Sequence, residues 1–294
     1  MKMLKGNEQI NLPDLVLAEA RLPNDRVVTM GEISRKFSLV DEESNIVIGY
    51  CKDILGMSGE YSIEIKREQY HRIILVNFQM TEAFREYVKK KRPFIKYILL
   101  NFLNKKGDVM GTYYFYLQKP LFFCDEKFNV QSITAEVVVL LPVTIPRESL
   151  EIWDLWRESD PMVKNMWMDL SKDQQQRWLE IVRQHEKTAP ADQANGEYFL
   201  DMGIVEDDIT FYCALGEAIN GPGGYYGFTL TSLEDCFCGG FGAVAPFTLY
   251  ISHLNKSAYE CHSDNENSMS MEAPFLSSPL YDLLISNNVK VVFC

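Results

Sequence analysis

At 294 residues, 47% apolar and 24% charged, the chain is long enough for two domains with real cores and has the balance of a soluble globular protein. No apolar run approaches the roughly 18 residues of a membrane span. No signal-like apolar stretch follows Met1-Lys2-Met3-Leu4-Lys5-Gly6. The net charge of −12 is concentrated at one end. Residues 196–294 carry thirteen acids against Lys256 and Lys290, hence −11, and residues 1–195 carry −1. A field of that sign repels nucleic acid and speeds encounter with a basic surface, so no direct nucleic-acid or membrane partner is expected.

Residues 1–145 read as an α+β domain with a mostly antiparallel sheet, open or folded into a sandwich. Lys36–Val40 and Ile46–Tyr50 flank the polar turn Asp41-Glu42-Glu43-Ser44-Asn45, a hairpin signal. Strands follow at Tyr61–Lys66 and Arg72–Phe78, then at Lys96–Leu103 and Gly111–Leu117 around Asn104-Lys105-Lys106-Gly107-Asp108, and last at Ile133–Val143. One helix is predicted over Glu82–Lys91. Its basic end, Lys89-Lys90-Lys91-Arg92, reads as a solvated terminus favoured by the helix dipole, with a nucleic-acid patch as the alternative.

Residues 146–195 read as a tryptophan-rich helical connector. A helix opens after Pro146, and another starts at Leu170-Ser171-Lys172-Asp173. Trp153, Trp156, Trp167 and Trp178 are expected to pack between helices rather than stack on ligands. Thr188–Asn195 is the most linker-like stretch and places a domain boundary there.

Residues 196–294 read as strand–helix–helix–strand–helix–strand, which calls for a small three-stranded parallel sheet covered by helices. The strands are Glu197–Asp201, Pro246–Ser252 and Val289–Phe293. Asp207 and Asp208 can cap a helix through Phe211, Leu215 and Ala218, and Ser278 or Pro279 can begin the last one. Between them lies Gly223-Gly224-Tyr225-Tyr226-Gly227-Phe228, a glycine-loosened aromatic loop running into a short helix capped by Thr229. Helical spacing puts Leu230, Leu233 and Phe237, with Cys236 beside them, on an anchored face. Thr231, Glu234, Asp235 and Cys238 fall on the presented face.

This order, with Tyr225-Tyr226-Gly227-x-x-Leu230-x-x-Leu233-x-Asp235-Cys236, the Gly239-Gly240 helix ending and the Pro246-Phe247-Thr248-Leu249 strand, resembles the barstar family of intracellular ribonuclease inhibitors over residues 196–294. The resemblance implies an inhibitor that inserts loop and helix into the active site of a basic ribonuclease, carboxylates standing in for substrate phosphates. It makes Asp235 the central plug and gives Tyr225 and Gly227 the loop contact. The expected partner-binding set is Tyr225, Tyr226, Gly227, Thr229, Thr231, Glu234, Asp235, Cys238 and Gly239. Thr231 stands where the family commonly has an acid, and Glu234 where its archetype has an aromatic. A last-helix acid of the family would fall near Tyr281, with Asp282 one step away. A basic toxin other than the archetypal ribonuclease is therefore expected as the partner.

Enzyme chemistry has no motif behind it, and neither catalytic residues nor a cofactor are expected. Cys236-Phe237-Cys238 has too short a spacing for a zinc pair. Gly221–Gly227 lacks the lysine of a phosphate loop. A metal or Cys/His site can be imagined at His253, Cys261 and His262, but loop or buried roles are favoured. Seven cysteines without framework spacing suit a reduced, cytoplasmic setting. The alternative to an immunity protein is an adaptor whose acidic domain docks a basic partner.

Overall fold

The structure, a computed structural model, describes residues 35–91, 94–122, 133–185, 191–253 and 278–294. They fall into two compact units, one ending at 145 and the other comprising 146–294 together with 109–111.

In the first unit the expected hairpins form. β1 (Phe37–Asp41) and β2 (Ile46–Cys51) pair antiparallel, with Ser44 N donating to the Asp41 carboxylate at 3.1 Å across the turn. β3 (Asp53–Leu55) and β4 (Ser62–Ile65) both pair with β5 (Glu68–Met80). α1 (Glu82–Lys91) follows, held by Thr81, whose hydroxyl accepts from Phe84 N at 3.1 Å. Lys89, Lys90 and Lys91 occupy its exposed last turn, and Arg92 lies outside the described residues. β6 (Phe94–Leu103), β7 (Val109–Phe122) and β8 (Ile133–Leu140) complete the set.

The antiparallel sheet expected from alternation is present, and it also closes. Neighbours are hydrogen-bonded along β2-β1-β6-β7-β8-β5, and β2 pairs with β5, so six strands form a barrel. Ile73, Leu100, Phe115 and Val139 are among its buried side chains. Closure brings Gly49 opposite Met80. A Cβ on Gly49 would stand 2.4 Å from the Phe78 ring and 2.6 Å from the Gln79 carbonyl oxygen. The seam therefore needs a residue without a side chain.

In the second unit, α2 (Arg147–Glu158) packs on α3 (Lys172–Gln184), with a 3₁₀ turn at Met166–Asp169 between them. Ser171 caps α3 by accepting from Gln174 N, and the Gln174 side chain accepts from Ser171 N in return. The four tryptophans are buried. Trp178 and Trp153 stand edge-on to Trp156 at 5.0 and 5.9 Å between ring centroids.

α3 in turn packs on α4 (Asp208–Asn220), and α4 on β9 (Glu197–Asp201). Every residue from Thr210 to Glu217 is buried, because α4 has the sheet on one side and α3 on the other. Residues 146–184 thus form an outer helical layer of this unit. Asp207 caps α4 and bonds Lys172 at 2.8 Å. Partial burial alone would raise its carboxyl, but the Lys172 and Thr210 hydrogen bonds hold it below the usual carboxylate range.

β10 (Phe247–Ser252) lies at the centre of the parallel three-stranded sheet, between β9 and β11 (Val289–Phe293). Two more helices precede β10 and β11 in turn: α5 (Leu230–Phe237), and α6 (Pro279–Ser286) capped by Ser278. The described part of the linker-like stretch is tied to this unit. Gln193 N donates to Gly242 O at 2.7 Å, and Asn195 N to Pro246 O at 2.6 Å. Residues 188–190 lie outside the described residues.

Gly49→Ala should lower unfolding stability by about 1–3 kcal/mol, the ordinary cost of overpacking. Urea denaturation measures it, and an unchanged midpoint would show that the β2–β5 seam does not need the bare Cα.

Candidate partner-binding surface

The loop and helix at 223–237 are built from the core outward. Leu233, Cys236 and Phe237 are buried, and Phe237 and Tyr226 both pack near Phe247 of the central strand, at 6.1 and 6.3 Å between centroids. Leu230 is 40% exposed rather than anchored. It is the first residue of α5, and the buried stripe begins one turn later at Leu233. Thr229 caps the helix. Its hydroxyl accepts from Ser232 N at 3.2 Å, and Ser232 Oγ accepts from Thr229 N at 2.8 Å. Serine here does what glutamate does in the usual capping box.

Three polar side chains hold the loop. Glu217, 1% exposed, accepts from Gly223 N at 2.9 Å, Asn165 N at 2.6 Å and Trp167 Nε1 at 3.3 Å. The Asn220 amide donates to Tyr225 O at 2.6 Å and Phe241 O at 2.9 Å. The Tyr226 hydroxyl donates to Ala243 O at 2.9 Å. The loop lies hard against α4 because Gly216 has no side chain, and a Cβ there would be 2.3 Å from Gly224 O.

The expected partner-binding residues divide accordingly. Thr229, Thr231, Glu234, Asp235 and Cys238 are exposed on one element, and Gly239 is half-buried beside them. Tyr225 is half-buried; burial pushes its phenol up, with Cys236 adding to the effect and Ser232 and Arg183 opposing it. Gly227 is buried at φ 88°, so it serves the path of the chain. Tyr226 is fully buried, and its side chain has no surface to offer a partner.

Neither Glu234 nor Asp235 has an ion-pair partner within 4 Å among the described residues. Both lie in the C-terminal half of α5, where the helix dipole is negative and carboxylates are disfavoured by about 0.3–1 kcal/mol. Of the last-helix positions, Asp282 is exposed, Tyr281 is half-buried, and α6 packs near α5.

Sequence reasoning missed three participants. Arg183 lies over the exposed Phe228 ring at 5.0 Å, placing a cation from α3 at the edge of this acidic face. No local signal pairs those two residues. Glu217 did leave a signal, a carboxylate inside the apolar run Phe211–Ile219, which must find donors if buried. Asn220, closing the same helix before a glycine loop, left a weaker one.

Cys236 is buried and Cys238 exposed, so the two thiols diverge. Burial, aided by Asp235, pushes the Cys236 thiol up to about 12. Among the described residues no three His, Cys, Asp or Glu side chains gather as a metal-holding group. His253 is bonded to Asp201 at 3.0 Å, while Cys261 and His262 lie outside the described residues. Among the described residues no helix is long and apolar enough to cross a membrane.

No family model matches the chain, and neither a curated protein nor a solved structure does.

Glu217→Gln should cost about 2–4 kcal/mol, because the amide NH2 must face either Gly223 N–H or the Asn165 and Trp167 N–H groups, donors that now point at a carboxylate. Chemical denaturation gives the cost, and hydrogen exchange at Gly223 and Asn165 should accelerate. Unchanged exchange at both would mean that Glu217 does not hold the loop.

Proposed function

We propose that the chain is an immunity-type inhibitor, a binding protein rather than an enzyme, that occludes the active site of a basic toxin, most simply a nuclease domain. One observation carries the reading. Glu234 and Asp235 stand together, exposed and unpaired among the described residues, on a short helix whose other side is locked into the core. They occupy the end of the helix where their charge costs the free protein stability, an arrangement that a cationic partner reverses. The parallel sheet with its helices, the Tyr225-Tyr226-Gly227 loop and the −11 charge of residues 196–294 support it further, through the barstar resemblance.

In this reading Asp235 and Glu234 take the places of substrate phosphates against the toxin's arginines and lysines. Thr229, Thr231, Cys238 and Gly239 frame them, and Tyr225 contributes its exposed edge. Tyr226 and Gly227 shape the loop from beneath. Phe228 and Leu230 are exposed beside the carboxylates and fit a partner with apolar surface next to its basic cleft.

A cost to the free protein is measurable without any partner. Asp235→Asn should raise its unfolding stability by about 0.3–1 kcal/mol, since the substitution removes a charge from the negative end of a helix. A loss of stability in urea denaturation would argue against the electrostatic account of α5.

The functional test is titration of the full chain into a panel of basic nuclease toxin domains. A cognate domain should be inhibited at one-to-one stoichiometry. Asp235→Ala or Glu234→Ala should each weaken binding by about 2 kcal/mol or more, near thirtyfold. The wild-type association rate should fall steeply with added salt. If the double alanine variant protects as well as the native chain, α5 is not the plug.

A further inference from the structure

Parallel sheets are almost always covered on both faces, because their crossovers lay helices over them. The β9-β10-β11 sheet turns Phe247, Leu249 and Ile251 inward, where they are buried. Its register aligns two rows on the opposite face, Glu197-Thr248-Lys290 and Phe199-Tyr250-Val292. On this face Thr248, Tyr250 and Val292 are half-buried, while Glu197, Phe199 and Lys290 on the outer strands are exposed. The Phe199 and Tyr250 rings are stacked 4.8 Å apart with 11° between their planes, and Phe199 is 67% exposed. Lys290, also exposed, is the only lysine or arginine among the described residues of 196–294. It shares its row with Glu197, with Thr248 between them, and the Glu197 carboxylate accepts from the Tyr250 hydroxyl at 3.3 Å.

That layout is self-complementary. A two-fold axis along β10, lying between two stacked copies of the face, maps each row onto itself and exchanges the outer strands. Glu197 of one copy then meets Lys290 of the other, twice. Tyr250 meets its own equivalent, and Phe199 lies over Val292 of the second copy. We propose that this face is a contact between two copies of the chain, related by that axis. The contact is isologous and closes after two chains. Three strands about 4.8 Å apart and five residues at about 3.3 Å each make a patch of roughly 14 by 17 Å. That is small against the ~800 Å² each partner buries in a standard interface, so the association is a reversible equilibrium.

Sedimentation velocity on the full chain, from low to high micromolar concentration at physiological ionic strength, tests this. The ionic strength matters because it screens the repulsion between two chains of net charge −12. The average mass should rise with concentration from one chain toward two. Phe199→Glu, at an exposed strand position, should keep the circular dichroism of the native chain and remain a single chain throughout. Glu197→Lys should weaken association roughly tenfold, since symmetry repeats the like-charge contact, and adding Lys290→Glu should restore it to within about threefold. A native chain that stays single at every concentration overturns the proposal, as does a Phe199→Glu variant that associates normally. A double charge swap as weak as Glu197→Lys alone overturns it too.

Discussion

The Glu217 carboxylate is the constraint around which the second unit is arranged. A buried charge without partners costs several kcal/mol, so a helix can carry one inward only if donors are brought to it. Here three N–H groups come from two places far apart in sequence, the turn at 165–167 and the glycine loop at 223. Satisfying one side chain thus fixes the path between α2 and α3 and the path between α4 and α5 at once. Gly216, one residue before it, lets the second of those paths lie directly on the helix.

The stability of the loop bears on how α5 can act. The loop is fixed by Glu217, Asn220 and Tyr226, and the helix that follows is capped by Thr229 and seated by Leu233, Cys236 and Phe237. Little backbone freedom would remain to be lost on binding the proposed partner, so contact energy would not be spent on ordering the loop. The residues facing solvent are those the core has no use for, two carboxylates, a thiol, two threonines and an apolar pair. Rigidity beneath and unpaired charge above are the two features on which the proposed inhibitor role rests.

Much of this was legible in the residues. Alternation in the first 145 residues foretold the antiparallel strands, and Asp41–Asn45 and Asn104–Asp108 foretold their turns, because turn chemistry is local. The parallel sheet of residues 196–294 followed from element order, since parallel strands need crossovers. Barrel closure was not legible. It depends on Gly49 meeting Phe78 and Gln79 some thirty residues away, and a glycine inside a strand does not announce its neighbour. On α5 the periodicity placed Glu234 and Asp235 outward correctly but set Leu230 inward, because a hydrophobic face says nothing about how far along the helix the core extends. Tyr226 was expected in the partner-binding set that goes with the family resemblance, yet its hydroxyl had a carbonyl to reach and its ring a core to fill. Arg183 over Phe228 joins two elements that only the tertiary fold brings together.

The layering of the second unit also sets what could be inherited as a piece. A segment beginning at 196 would hold all three strands of the parallel sheet, yet α4 would lose the cover of α3 along one side. Glu217 would keep Gly223 as a donor and lose Asn165 and Trp167. Exchange of this unit between chains by recombination would therefore have to carry the tryptophan-rich helices with it. The smallest module that recombination could move starts no later than the first of them, near Pro146, and would still leave behind Val109–Gly111, which belong to the same unit.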